Sequence, residues 1–351
     1  MKLGYFTFPM HPPGKNYYKT LMEDRESIIL ADQLGFNEAF IGEHLSDKCE
    51  RITSCMNFIS SLIFDTKNIK LGTGTLNLPH THPVTIAAQV SMIDTLLKGR
   101  FIMGIGPGSL VSDMEMFDTL DKNRLEIFLE SIEHIFNLWK NKPPYNLKGK
   151  HWNISTKKIF NKNLYIGEIG KPYQKPYPEI VVTSLGASNS GLQQAINKGW
   201  NIISSNFLRD ERLKEHNKII KNSKRKSINW RIAKFIYISQ NKQDIVNYGL
   251  SEKGPIFFCL KQIYNKLKKA NRLDILKKNP LDKKEKINVH QLMKELVICG
   301  DTKEVTEKII ELKERYNKMT TLTYVNVDWA DKKLTKKSMK FLGEKVIPNI
   351  K

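Results

Sequence analysis

Three shortages limit what this sequence can be. No run of about 18 apolar residues occurs, which excludes an ordinary membrane-spanning helix. Cysteine is sparse: Cys49, Cys55, Cys259 and Cys299 form no CxxC pair and no ligand-like spacing with histidine. They read as reduced thiols, not as a disulfide framework or a thiolate metal site. The opening residues, MKLGYFTFPM, form a strand pattern broken by Pro9 and lack the long apolar region and cleavage site of a leader, so a cytoplasmic protein is expected. Acidic residues are also in short supply, with 36 Asp and Glu against 57 Lys and Arg, a net charge of +21. Such a balance can mark a nucleic-acid binder. Here the lysines come as scattered pairs (Lys157-Lys158, Lys268-Lys269, Lys336-Lys337) without interleaved aromatics, zinc-finger spacing or a basic zipper. A solvated, lysine-biased surface is the plainer reading, and nucleic-acid binding its rival.

What is present is a strand–helix–strand unit, Ile69 to Ser109. Ile69–Leu78 is aliphatic and β-branched, and Pro83 opens a helix with Ile86, Val90, Ile93 and Leu97 on one face. Gly99 stops the helix, and Phe101–Ile105 is an apolar run of the kind buried on both faces of a parallel sheet. Further strands are read at Lys2–Phe8, Glu38–Gly42, Ile180–Thr183, Asn201–Ser204, Ile232–Ile238 and Leu322–Val327, with helical patterns between them. The clearest helix begins at Arg124 and carries Phe128, Ile132, Ile135 and Trp139 along one stripe, leaving His134 on its solvent side. Eight strands alternating with helices predict an α/β fold, a (β/α)8 TIM barrel with rim insertions, in one domain over residues 1–351. Residues 141–178 read as a rim excursion. Residues 241–296 are irregular and lysine-rich, and are expected to form helices serving as a lid or a dimer contact.

Ligands of parallel α/β folds sit at the carboxyl ends of strands. Glu43-His44 lies at one such end, where an imidazole can exchange a proton near neutral pH and an adjacent carboxylate can orient it; a surface histidine in a loop hydrogen bond is the alternative. His80 and His82 bracket Thr81, but the other histidines are dispersed, so no metal site is expected and His82 either starts the helix or borders a cleft. Gly104-x-Gly106-x-Gly108 lacks the dinucleotide spacing; it either admits a flat ligand or makes a tight turn. From Ser184 to Gly191 a strand runs into a serine- and glycine-rich loop that opens a helix. Ser184, Ser188, Ser190 and Gly191 could cradle an anion, or Ser188 or Ser190 could simply cap the helix.

Taken together, the segments IGEHLS (41–46), LGTGTLNLPHTHPVTIAAQVSMIDTLLKGRFIMGIGPGSLVSD (71–113), PEIVVTSLGASNSG (178–191), LVICGD (296–301) and LTYVNVDWAD (322–331), with Arg124 opening a helix, resemble the luciferase-like flavin-dependent monooxygenases, especially their limonene-monooxygenase-like branch. The resemblance spans nearly the whole chain and is weakest over the rim excursion and residues 241–290. It implies a barrel enzyme, often a homodimer, that takes reduced FMN from a separate flavin reductase and uses O2 to oxidise an organic substrate. By position, His44, with Glu43 beside it, would be the acid/base near the flavin's reactive edge. Gly74-Thr75 would be a non-proline cis peptide beneath the ring, Asn77 and Gly106 would line the ring site, and Ser188 and Ser190 would hold the phosphate with Arg124 as the cation. Pro107 stands where luciferases proper carry a phosphate-anchoring arginine, so light emission is not expected. Phe6, Phe8, Trp152 and Phe207 suggest an apolar substrate, with His82 bordering the pocket. A deazaflavin-dependent hydride-transfer oxidoreductase on the same barrel, and a flavin-binding protein without catalysis, are the alternatives.

Overall fold

A computed structural model describes residues 1–8, 10–184 and 189–350. Eight parallel strands close into a barrel: β1 (Lys2–Thr7), β2 (Glu38–Ile41), β3 (Lys70–Thr73), β4 (Phe101–Gly106), β5 (Glu179–Ser184), β6 (Asn201–Ser204), β7 (Trp230–Ile238) and β8 (Met319–Asn326). The seam is β8 against β1, with Lys2 opposite Thr321 and Thr7 opposite Asn326. The TIM barrel expected from the sequence is the fold observed.

Two departures concern the strands. Ile69–Leu78 is not one strand: pairing with β2 ends at Thr73, the Gly74–Thr75 peptide is cis, and Leu76–Asn77 resumes against Ile105–Gly106. A further strand, Val297–Gly300, was not read from the sequence. It pairs with Phe235–Ile238 of β7, beyond the level at which β6 ends opposite Ile232, and so extends the wall at the carboxyl end.

Because side chains alternate along a strand, the barrel has two apolar regions. On β7, Trp230, Ile232, Ile236 and Ile238 face the surrounding helices, whereas Ala233, Phe235 and Tyr237 face the lumen. The Arg124–Lys140 helix buries Phe128, Ile132, Ile135 and Trp139 as its period predicts. His134 is not on a solvent face. The hairpin Asn146–Lys148/Asn153–Ser155, which lies within 141–178, covers it: His134 Nε2 donates to the Trp152 carbonyl at 3.2 Å, and Trp152 Nε1 donates to Ser131 Oγ at 2.9 Å.

Residues 241–296 hold the helices Pro255–Lys269 and Val289–Leu296. Their apolar faces (Ile256, Leu260 and Ile263; Leu292, Met293 and Leu296) join Phe6, Phe40, Phe235 and Val325 of the lumen in one cluster. Ion pairs fasten this insertion at two places. Lys266 bonds Asp47 and Glu50 beyond β2, while Arg209, beyond β6, bonds Glu285 at 2.6 Å and Glu295 at 2.7 Å. Strands 2 and 6 of an eight-stranded barrel stand opposite each other, so the insertion reaches across the mouth.

Polar clusters tie both ends of the barrel. At the amino ends, Arg231 makes a bidentate pair with Glu38 (2.6 and 2.7 Å) and reaches Glu179 at 3.0 Å. At the carboxyl ends of β1 and β8, His11 Nδ1 donates to Asp328 at 2.7 Å and Nε2 to Asp24 at 3.1 Å, and Lys15 donates to Asp328 at 2.5 Å and to Glu23. His11, Glu23 and Asp328 have metal-ligand spacing, but the Lys15 ammonium already bonds both carboxylates. Burial alone would lower the His11 pKa; the hydrogen bonds to Asp24 and Asp328 outweigh it and push the group up to about 9. With an unfolded value near ~6.5, this network contributes stability that is complete below about pH 6.5 and lost as the pH rises through about 9. Replacing His11 by Asn should cost about 3–5 kcal/mol near neutrality, as for a broken buried pair. Thermal unfolding of both proteins from about pH 6 to 10 should show the gap closing through that window; parallel curves would contradict it.

Candidate functional site

The site is assembled from three successive strand ends. β2 runs into Gly42-Glu43-His44, where the Gly42 N–H donates to the Thr7 carbonyl at 3.3 Å. β3 gives way to the cis Gly74–Thr75 peptide, with the Phe6 ring against Gly74. β4 packs so close to β3 that a Cβ on Gly104 would lie 1.8 Å from the Thr73 carbonyl oxygen, which only glycine allows. Gly106 abuts Thr75 in the same way, a Cβ there falling 2.7 Å from the Thr75 hydroxyl. That hydroxyl donates to Asn77 Oδ1 at 3.3 Å.

His44 is held from its Nδ1 side by Asp113, at 3.3 Å. The same carboxylate accepts the N–H of Leu45 at 3.2 Å, the N–H of Ser46 at 2.9 Å and the Ser46 hydroxyl, so it fixes the whole turn beyond β2. Burial would raise the Asp113 pKa, but these donors prevail and hold it down at about 2. Nε2 of His44 lies 3.6 Å from Glu50, beyond hydrogen-bond range, so its proton is open to a bound group. Burial works against the charged imidazole, yet Glu50 and Asp113 raise its pKa above the usual histidine value.

Glu43 was expected to be the orienting carboxylate, and the structure corrects this. Glu43 accepts the Cys55 N–H at 2.9 Å, at the start of the helix Cys55–Ser60. Adjacent residues at the end of a strand point to opposite sides, so sequence neighbours are poor partners there. His82 is likewise corrected: it is exposed, its Nδ1 accepts the Val84 N–H at 3.3 Å as the cap of the helix Pro83–Leu96, and its ring meets Trp152 edge-on at 5.0 Å. Phe6 and Phe207 are buried in the lumen cluster with Phe8 packed against it, so three of the four pocket residues come together.

Arg124 opens its helix beyond β4, donating through Nη1 to the Leu120 carbonyl at 3.2 Å. Ser184 ends β5, the neighbouring strand, and pairs with His216 Nε2 at 3.3 Å. His216 is itself tied to Ser204 at 2.8 Å, and burial with the nearby Arg212 lowers its pKa to about 4, so it is neutral. Ser190 and Gly191 stand in the first turn of the helix Asn189–Asn197. Ser188 lies outside the described residues. His80, read from the sequence only as half of an HxH pair, stacks on Phe117 with centroids 4.6 Å apart. Burial lowers its pKa, with Asp113 opposing and Arg124 and His44 adding to the effect.

Several buried atoms around this mouth have no hydrogen-bond partner among the described residues: His80 Nδ1, Arg124 Nε, Asn206 Nδ2 and Tyr237 OH. Others lie elsewhere, Arg231 Nη1 at the amino ends among them; at this mouth the Arg124 guanidinium, with Nε unpaired, and His80 Nδ1 fit a ligand that carries anionic and polar groups. A cavity of about 300 Å³ at the opposite end, lined by Glu38, Glu179 and Arg231, is floored by the ion pair described above.

The chain has known relatives. The family model for luciferase-like monooxygenases matches residues 1–317. The chain belongs to that family. Among characterised relatives, 4-hydroxyprotoasukamycin monooxygenase of Streptomyces nodosus subsp. asukaensis is 37% identical over 126 residues, 35% of this chain and 34% of that protein. Limonene 1,2-monooxygenase of Rhodococcus erythropolis is 36% identical over 123 residues, 34% of this chain and 32% of that protein. 3,6-Diketocamphane 1,6-monooxygenase of Pseudomonas putida is 25% identical over 226 residues, 58% of each. The aligned part thus spans 32% to 58% of these relatives' lengths. Among solved structures, the oxygenating constituent of the P. putida 3,6-diketocamphane monooxygenase with FMN superposes with a TM-score of 0.82 at 23% identity, covering 100% of this chain and 99% of that one. An F420-dependent secondary alcohol dehydrogenase, at TM-score 0.70 and 14% identity over 100% of this chain and 99% of its own, shares the fold too.

Asp113→Asn should lower the pH at which His44 titrates, since the carboxylate raising its pKa is gone. Imidazole proton resonances followed against pH measure this, and an unchanged titration would show that Asp113 does not govern His44.

Proposed function

We propose that this chain is the oxygenase of a two-component, FMN-dependent monooxygenase that oxidises an apolar organic molecule with O2. A separate flavin reductase would supply the reduced FMN. The observation that carries this is the placing of His44, fixed through Nδ1 and open at Nε2, in the same mouth as the Gly74–Thr75 turn and Arg124. When bound, reduced FMN would supply the electrons that activate O2.

The chain's own residues would bind, orient and exclude. Arg124, the Ser184 hydroxyl and the amino end of the Asn189–Asn197 helix, with Ser190 and Gly191, would hold the phosphate. The Gly74–Thr75 turn, Asn77 and Gly106 would border the ring. His44 would keep a proton on Nε2 and deliver it where negative charge develops on oxygen; Glu50 and Asp113, which raise its pKa, favour the protonated ring. Phe6, Phe8 and Phe207, beneath the insertion, would give an apolar substrate a dry contact surface. The same barrel serves F420-dependent enzymes, so hydride transfer from a deazaflavin is the second reading.

Reduced FMN should bind in preference to reduced deazaflavin; a clear reverse preference would overturn the monooxygenase reading. Arg124→Met should weaken FMN about tenfold or more while leaving riboflavin, which lacks the phosphate, unaffected. Equal losses for both would remove Arg124 from the phosphate site. His44→Ala should slow product formation on the order of 10²-fold or more, in a screen of small apolar organics with reduced FMN and O2.

A further inference from the structure

The open proton on His44 depends on a residue from the insertion. Glu50 has one oxygen, Oε1, accepting from Lys266 Nζ at 2.9 Å, and the other, Oε2, 3.6 Å from His44 Nε2. Lys266 also bonds Asp47, and it lies on the Pro255–Lys269 helix, whose apolar face is packed into the lumen cluster. Glu50 is buried, so with Lys266 absent the nearest cation for its carboxylate would be the imidazolium of His44. A displacement of well under 1 Å would turn the 3.6 Å approach into a hydrogen bond and occupy the proton.

We propose that Lys266 is a positioning residue: from the insertion it holds Glu50 just short of His44 Nε2, so that this proton faces the site and not a neighbouring carboxylate. The inference rests on the reading of His44 as the proton donor. It also makes docking of the insertion a condition for that donor to work, because Lys266 is supplied only when the Pro255–Lys269 helix is seated.

The charges around His44 come from several elements. Glu43, Asp47 and Glu50 lie beyond β2, Asp113 is on the helix Val111–Met116, His80 follows β3, and Lys266 belongs to the insertion. Glu50 and Asp113 favour the protonated ring and Lys266 opposes it, while burial lowers its pKa throughout. Loss of Lys266 therefore removes an opposing charge and exposes the ring to the full pull of Glu50 and Asp47. Loss of the charge alone would raise the titration of His44 whether or not Glu50 is present; a positioning role makes the rise depend on Glu50.

The test is the pH titration of the His44 imidazole by NMR in the flavin-free full chain, its resonance identified as the one absent from His44→Gln. Lys266→Met should move the titration to higher pH, and Lys266→Arg should return it to the wild-type position. The upward shift should be largely lost when Lys266→Met is combined with Glu50→Gln. An unchanged titration in folded Lys266→Met, or an equal shift with Glu50 replaced, overturns the proposal. If Lys266→Met does not fold, Glu50→Gln alone decides: His44 should titrate at lower pH than in wild type, and no change refutes the coupling. These readings need no flavin. Failure of His44→Ala to slow product formation would defeat the proton-donor reading while leaving the Lys266–Glu50 coupling measurable.

Discussion

The Asp113 carboxylate is the contact on which the site depends. It comes from the short helix after β4 and bonds the turn after β2, so it passes over the end of β3 and joins loops that are not neighbours in the barrel. Burying a carboxylate is costly unless donors surround it. Here two backbone N–H groups, a hydroxyl and an imidazole do so, and its depressed pKa keeps it ionised throughout the working range. One charge thereby does two jobs, fixing the path of residues 44–46 and holding the ring of His44 from its Nδ1 side. The cis turn at Gly74–Thr75 follows β3, the strand between the two, so the His44 imidazole and the glycine-lined strand ends occur together.

Stability and chemistry are separated along the barrel axis. The amino ends are closed by Arg231 between Glu38 and Glu179, a buried ion-pair group that ties three strands together. At the carboxyl ends the chain leaves buried atoms without partners, and the insertion covers the lumen with aliphatic side chains. Unsatisfied polar atoms cost free energy in an empty protein and are repaid only when a ligand supplies their partners.

How much of this could be read from sequence follows from how local each feature is. Strands buried on both faces read as apolar runs, so Phe101–Ile105 and Asn201–Ser204 were legible. Val297–Gly300 was not, because four residues directly behind the Val289–Leu296 helix show no period of their own. His44 could be found because a strand end is a local feature. Asp113 could not: 69 residues separate it from His44, and only the closed barrel brings them together, although it sits inside the same recognisable block as Gly74 and Gly106. Glu43 was chosen for adjacency, which at a strand end places two side chains on different sides. Lys266, 216 residues from Glu50, left no trace in a lysine-rich segment. His134 was misjudged because the Asn146–Ser155 hairpin covers it, while of the two readings of His82 the helix start holds and the pocket border does not.

The arrangement of charge at the mouth gives a ligand a direction. On the β2 side, Asp47, Glu50 and Asp113 surround His44, an acidic patch in a chain of net charge +21. On the β4–β5 side stand Arg124, Ser184 and the amino end of a helix, with no acidic group bonded to Arg124 among the described residues. On the reading proposed above, an anionic tail would be drawn to the second side and away from the first, where Lys266 offsets only part of the acidic charge, so a flavin phosphate would sit at Arg124 with its ring toward His44. Orientation would then come from two local fields of opposite sign within one mouth, and reversing either would turn the ligand's reactive edge away from His44.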